Sequence, residues 1–353
     1  MKHMHILVKG TLILTLSGFL TKIIGFIYRI FLSHTIGAQG MGIYQLIFPV
    51  QALCFALTVG GIQTAISRLV AAKAALEEEQ SSRDIFLIST FLSVFTAILV
   101  SFFLYRHASW FALHILLEES CTPLLKIMAL SLPMGAFHAC VNGYYFARKK
   151  LSVPAAAQLL EQLARVGASY LVFLIWTEQG IPVTPLLAAV GLLSGELGAM
   201  VFSGLVIFRD YTKAHYQIRH MVSPFSDFKS VVCLSFPLTC NRLLVNLLHS
   251  IESVLIPGHL RLYGLDNASA LSVYGVLTGM ALPLIFFPCA ITNAVSTVLL
   301  PSVAESQAVG NHQNIRKSIF LSVKCCLALG FSFTVFFYFF GDFLGLLLFQ
   351  NEF

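Results

Sequence analysis

The sequence predicts an all-α polytopic membrane protein, a helical bundle with about nine transmembrane helices. Hydrophobic residues make up 57% of the 353 positions and charged residues 11%, with a mean hydropathy of +0.83, far outside the range of soluble globular domains. Apolar runs of about 20 residues recur from end to end, long enough for helices to cross a hydrocarbon core of about 30 Å. They lack the ten-residue alternation of a membrane β-barrel. The net charge of +6 is no nucleic-acid signal, because most basic residues lie between the runs and report topology instead.

The spans fall at roughly 9–35, 43–70, 85–105, 122–147, 154–177, 184–208, 229–257, 271–303 and 317–341. Span one is not expected to be a cleaved leader, since Lys22 and Arg29 interrupt it and no small-x-small cleavage pattern is seen. A charge facing lipid would cost several kcal/mol, so both cations must face protein or water. At about 100° per residue Thr11, Thr15, Lys22, Arg29 and Ser33 share one narrow stripe, the wall of a polar path. A Gly-rich turn leads into span two, which ends at Arg68.

Loop charge alternates along the chain. Lys73 and Arg83, then Arg148, Lys149 and Lys150, then Arg209, Lys213, Arg219 and Lys229, then Arg316 and Lys317 follow the even-numbered spans. The other loops offer little more than Arg106 and Arg261. By the positive-inside rule the N-terminus is cytoplasmic in a multi-pass plasma-membrane protein, and Glu77 to Glu79 do not alter this. The segment RHASWFALHILLEE after span three reads as an interfacial helix with Trp110 at the boundary.

Pro49, Pro133, Pro237, Pro283 and Pro288 interrupt several spans, as bends that suit a rocking transporter or as kinks that improve packing. On span five Glu161 and Arg165 stand one turn apart and read as a structural pair. Glu196 on span six is either a packed partner for Arg165 or a protonatable group. On span seven Arg242, Asn246, His249 and Ser253 share one face with Glu252 to its side. They are a second polar wall, or Arg242 and Glu252 form an internal salt bridge. The eight cysteines show no CxxC or Cys/His spacing and read as small buried apolar residues, so no metal and no cofactor is expected.

An internal repeat joins span two to span eight. Ile62 to Leu69 and Ile291 to Val298 both match I-x-x-A-(I/V)-S-x-(L/V), an offset of six spans that preserves orientation. The expected division is an N-terminal six-helix lobe at 1–208, a cytoplasmic linker at 209–228 and a partial C-terminal lobe of three helices at 229–353.

The segments GFLTKIIGFIYRIFLSHTIGAQGMGIYQLIFPV, SFPLTCNRLLVNLLHSIESVLIP and YGVLTGMALPLIFFPCAITNAVSTVLLPSVAE resemble, in order, the stage V sporulation protein B and polysaccharide biosynthesis branch of the multidrug/oligosaccharidyl-lipid/polysaccharide (MOP) exporter superfamily. That resemblance implies a MATE-like two-lobe bundle working by alternating access, and export of a polyprenyl-diphosphate-linked oligosaccharide or peptidoglycan precursor for the envelope or spore cortex. The sporulation branch resembles a fourteen-helix bundle, so the second lobe is expected to be incomplete and the chain a fragment or a truncated product. The acidic residue that drug-exporting relatives carry on the first helix is absent, with Lys22 and Arg29 in its place.

A diphosphate crossing a low-dielectric region needs cations or donors that replace its water. Lys22, Arg29, Arg68 and Arg242 are the expected cationic contacts, with Asn246, His249 and Glu252 completing the cavity; Arg68, at a span end, fits ordinary positive-inside placement as well. The isoprenoid tail is expected to stay in lipid through an opening between spans one and eight. The expected partners are the lipid-linked glycan and membrane lipid, with sodium or proton coupling left open and no nucleic acid. The competing readings are a MATE-type drug exporter, which the cationic stripe disfavours, and an inactive truncated paralogue with a scaffold role. No nucleophile-base pairing, metal spacing or Gly-rich phosphate loop suggests an enzyme.

Overall fold

A computed structural model describes residues 2–213, 224–289, 292, 303 and 311–349. Nine helices account for the described residues almost completely. The apolar stretch Leu12–Ala75 holds 64 residues, which as one straight helix would be about 96 Å long, some three times the hydrocarbon thickness. It breaks at Gly37, whose φ of 68° and ψ of −179° lie in a region essentially open to glycine alone. The Gly-rich turn expected between spans one and two is therefore this single residue, and the two segments are α1 (2–36) and α2 (38–75).

The remaining helices are α3 (Glu79–Ile115), α4 (Cys121–Ala147), α5 (Ser152–Glu178), α6 (Leu186–Lys213), α7 (Pro224–Leu262), α8 (Asn267–Ile285) and α9 (His312–Phe349). The expected interfacial helix is the last part of α3, set off from the rest by a kink at the non-helical His107. Span eight is expected to reach 303, but its described helix turns at Phe286, just before Pro288. The second copy of the repeat, at 291–298, lies outside the described residues apart from Thr292, as does most of the linker, at 214–223.

Because lipid tails are as apolar as leucine, helix association rests on close packing and on hydrogen bonds between helices, each worth about 0.6 kcal/mol. Hydroxyls here donate to carbonyls of neighbouring helices: Ser17 to Ala155 at 2.8 Å, Ser67 to Gly143 at 3.0 Å, Ser101 to Ala129 at 2.6 Å, and Ser93 to Thr58 at 2.8 Å. The last acceptor belongs to a π turn at Ala56–Gly60, where the regular hydrogen-bond ladder of α2 is interrupted. On α6, Gly191 and Gly195 let α5 approach closely. A Cβ at Gly195 would stand 2.9 Å from the Glu161 carbonyl oxygen, and one at Gly191 would stand 2.0 Å from the Ser169 hydroxyl.

One core joins α1, α2, α3 and α4 around Leu32, Leu46, Ile47, Met128 and Leu132, and a second joins α2, α3 and α4 around Ile66, Phe86 and Tyr144. Against this body α8 crosses α2 where Gly42 meets Gly275, and a Cβ at Gly42 would stand 2.1 Å from the Leu271 carbonyl oxygen. The α9 helix is exposed over most of its length and meets α1 near its end, where His34 Nε2 lies 2.9 Å from the Leu348 carbonyl oxygen.

The expectation that the cysteines are buried holds for Cys121 and Cys140 alone; Cys54 and Cys326 are half-buried, and Cys233, Cys240, Cys289 and Cys325 are exposed. The exposed four lie on α7, past the end of α8, and on α9. On α7 and α9 those surfaces carry no further helix of the described chain, and a thiol is apolar enough to face lipid.

Candidate functional site

The two polar walls do not meet each other. Each meets a different helix of the opposite segment of chain. Lys22 and Arg29 line a cavity of about 390 Å³ between α1 and the end of α8, walled otherwise by Gly25, Phe26, Pro283, Phe286, Phe287 and Cys289. Arg29 Nη1 donates to the Gly279 carbonyl at 3.3 Å, in a π turn of α8 at Val276–Ala281. The Lys22 side chain is exposed, and the Phe26 and Phe287 rings lie 5.5 Å apart across the cavity. Two cations with aromatic rings on both sides of the cavity can hold an anion attached to an apolar chain.

On α7 the polar face packs on α2. Arg242 Nη2 donates to Thr64 Oγ1 at 3.2 Å, and its aliphatic stem passes Gly60 where a Cβ would come within 2.9 Å of Cδ. Asn246 donates to the Ala52 carbonyl at 3.4 Å and Ser250 to the Pro49 carbonyl at 3.2 Å, at the proline kink of α2. His249 and Glu252 are turned away and exposed, 3.5 Å from each other, so Glu252 pairs with His249 rather than with Arg242. Arg68 is exposed on α2, one turn beyond Thr64. The structure thus brings together Lys22 with Arg29, and Arg242 with Asn246, as two separate groups. It places Arg68, His249 and Glu252 outside both. The direct contacts form a crossed pairing, α1 with α8 and α7 with α2.

A third polar group is built around His138, a residue that the sequence does not single out beside Glu161, Arg165 and Glu196. His138 Nδ1 stands 3.1 Å from Glu196 Oε2 and its Nε2 stands 4.0 Å from Glu161 Oε2, while Arg165 Nη2 donates to Glu161 Oε1 at 2.5 Å. Glu196 is therefore engaged by His138 on α4. The side chains of His138 and Glu196 are 13% and 7% exposed, deep among α4, α5 and α6. Gly135, one turn before His138, makes room for Glu196, whose Oε2 lies 3.0 Å from where a Cβ would be. The one signal for it in the sequence is a histidine in the middle of an apolar run, a rare placement in a membrane helix.

Both ends of the bundle are polar. At one end Arg148 pairs with Glu79, Lys150 with Asp210 at 3.5 Å, and Lys73 with Glu78 at 2.7 Å, gathering the basic loops. At the other, Glu118 in the α3–α4 loop accepts from Asn267 Nδ2 at 2.8 Å and from the Ser120 backbone N–H at 3.2 Å, and Arg261 donates to the Leu117 carbonyl at 3.1 Å. These last bonds tie the α3–α4 loop to the α7–α8 connection.

The family described as polysaccharide biosynthesis protein matches residues 7–307. Stage V sporulation protein B of Bacillus subtilis (strain 168) is 28% identical over 339 residues, covering 95% of this chain and 65% of the relative. Lipid II flippase MurJ of the same organism is 21% identical over 353 residues, covering 92% of this chain and 62% of the relative. The chain thus spans a little under two thirds of the length of these relatives. Among solved structures, the inward-facing conformation of a multidrug resistance MATE family transporter of the MOP superfamily superposes with a TM-score of 0.71 at 13% identity, covering 94% of this chain and 73% of that one, a likeness of fold.

Proposed function

The chain belongs to the polysaccharide biosynthesis protein family, and from that premise we propose that it is a flippase carrying a polyprenyl-diphosphate-linked oligosaccharide or peptidoglycan precursor across the bacterial plasma membrane for envelope or spore-cortex biogenesis. One observation carries the reading: Lys22 and Arg29 open into a cavity that is also lined by Phe26 on their own helix and by Phe286 and Phe287 past the end of α8. A diphosphate meets the two cations there, the guanidinium offering two parallel donors and the ammonium a point charge. The isoprenoid chain lies along the aromatic rings and continues into lipid. The larger cavity among α2, α3 and α7, about 400 Å³, is lined almost wholly by apolar side chains and has no charge to hold a head group.

Two lobes related by a two-fold axis along the membrane normal fit the crossed pairing. If α1 corresponds to α7 and α2 to α8, an α1–α8 contact implies an α7–α2 contact, and both occur with an arginine at the junction. The basic loops gathered at one end support a cytoplasmic N-terminus. The test is reconstitution of the protein with a fluorescent polyprenyl-diphosphate glycan and measurement of leaflet exchange. Protein-dependent exchange that a neutral glycolipid does not share supports the proposal. Exchange of a cationic dye in place of the glycan would transfer the protein to the drug-exporter reading.

A further inference from the structure

We infer that His138, Glu161, Arg165 and Glu196 form a proton-binding site that drives this protein, a coupling role that rests on the flippase reading. Two carboxylates face one guanidinium inside the six-helix lobe, so a neutral imidazole leaves the group one negative charge over. That charge lies largely buried among α4, α5 and α6, where uncompensated charge is strongly disfavoured. One proton on His138 makes the group neutral.

The geometry calls for a proton between His138 Nδ1 and Glu196 Oε2. With no hydrogen on Nδ1, the lone pairs of Nδ1 and of Glu196 Oε2 would face each other at 3.1 Å, and neither atom has another hydrogen-bond partner among the described residues. A proton on Nδ1 relieves that repulsion, and one on Nε2 points toward Glu161 Oε2. Binding adds one N–H bond to the neutral ring, taken from water, and breaks none in the protein.

The charged and titratable groups around the imidazole are Glu161 and Arg165 on α5 and Glu196 on α6. Tyr28 and Arg29 on α1 and Tyr44 on α2 lie within electrostatic reach of Arg165. The site thus adjoins the cationic wall. Tyr28 is hydrogen-bonded to Ser169, one turn beyond Arg165 on α5. When His138 releases its proton, the uncovered negative charge attracts Arg29 and competes with an anionic head group. When it is protonated, Arg29 is free for the cargo.

Two measurements test the site and the coupling separately. In nanodiscs, ¹⁵N-imidazole NMR of the protein is expected to show His138 doubly protonated at pH 7.5 and Glu196→Gln to return it to the neutral ring, with His138→Gln assigning the signal. A neutral His138 at that pH, or a signal indifferent to Glu196→Gln, would overturn the site. In proteoliposomes, a pH gradient is expected to accelerate glycan exchange several-fold in the native protein and not in Glu196→Gln. Acceleration by a sodium gradient instead would overturn proton coupling. No exchange under any gradient would overturn the flippase reading and the coupling built on it, while the NMR result decides the proton site on its own.

Discussion

The hydroxyls of Tyr28 and Ser169 lie 2.8 Å apart, joining α1 to α5 next to both Arg29 and Arg165. Ser169 also reaches the Leu187 carbonyl at 3.5 Å, whereas the Tyr28 hydroxyl, on a residue only 4% exposed, depends on Ser169. Tyr28→Phe therefore leaves Ser169 a partner, while Ser169→Ala strands a buried hydroxyl, which costs about 1–3 kcal/mol. The apparent melting temperature is expected to fall further for Ser169→Ala than for Tyr28→Phe. The reverse order would remove the bond from the account of how α1 is held.

Arg29→Ala should abolish glycan exchange while leaving membrane insertion intact. Removing one charged partner of a desolvated diphosphate costs about 2–5 kcal/mol, at least tenfold in affinity. Arg29→Lys keeps the charge without the planar fork and should fall between the two. Poor insertion of Arg29→Ala, with normal transport by the surviving fraction, would make its contact to Gly279 structural only.

The close approaches of α2 predict two different outcomes. A Cβ at Gly42 would sit 2.1 Å from a backbone oxygen of α8, so Gly42→Ala forces the helices apart; overpacking of this kind costs about 1–3 kcal/mol or more. A Cβ at Gly60 would meet only the flexible stem of Arg242, at 2.9 Å. Gly60→Ala should keep the melting temperature near that of the native protein while displacing Arg242 from Thr64. Equal loss of stability in the two variants would contradict the distinction between a backbone obstacle and a side-chain one.

Glu118 gives the loop contact a pH dependence. Burial pushes its carboxyl up, but hydrogen bonds from Asn267 and Ser120 and the charge of Arg261 outweigh it and hold the group below the usual carboxylate range. A depressed carboxylate contributes stability above its unfolded value, about 4.3, and loses it as pH falls through the folded value. The native protein should melt above Glu118→Gln at neutral pH, and the gap should narrow as pH falls below the unfolded value of about 4.3. A gap that does not change with pH would show that the carboxylate charge has no part in the contact.

A cysteine at Lys149, on a background lacking the eight native cysteines, should be labelled from the cytoplasmic side only, since Lys149 lies between Arg148 and Lys150 in the basic cluster. Labelling from outside intact cells would invert the topology.

Membrane residence, the order and approximate limits of the spans, and the cations inside span one are legible in the sequence because they are local properties: length, hydropathy and a charge inside an apolar run. The turn between the first two spans is legible for the same reason, since a Gly-rich stretch there is where a positive φ is tolerated. What the chain order does not carry is which helix each polar face meets. Arg29 rests on Gly279, and Arg242 on Thr64, only because Gly42 and Gly275 let the backbones of α2 and α8 touch and so fix the crossing. His138, Glu161 and Glu196 stand on three helices, and each alone reads as an isolated charge or a local pair. Their distance of a few ångströms, which decides whether a proton must lie between them, is set by how closely glycines let α4, α5 and α6 pack, and is therefore a property of the tertiary structure.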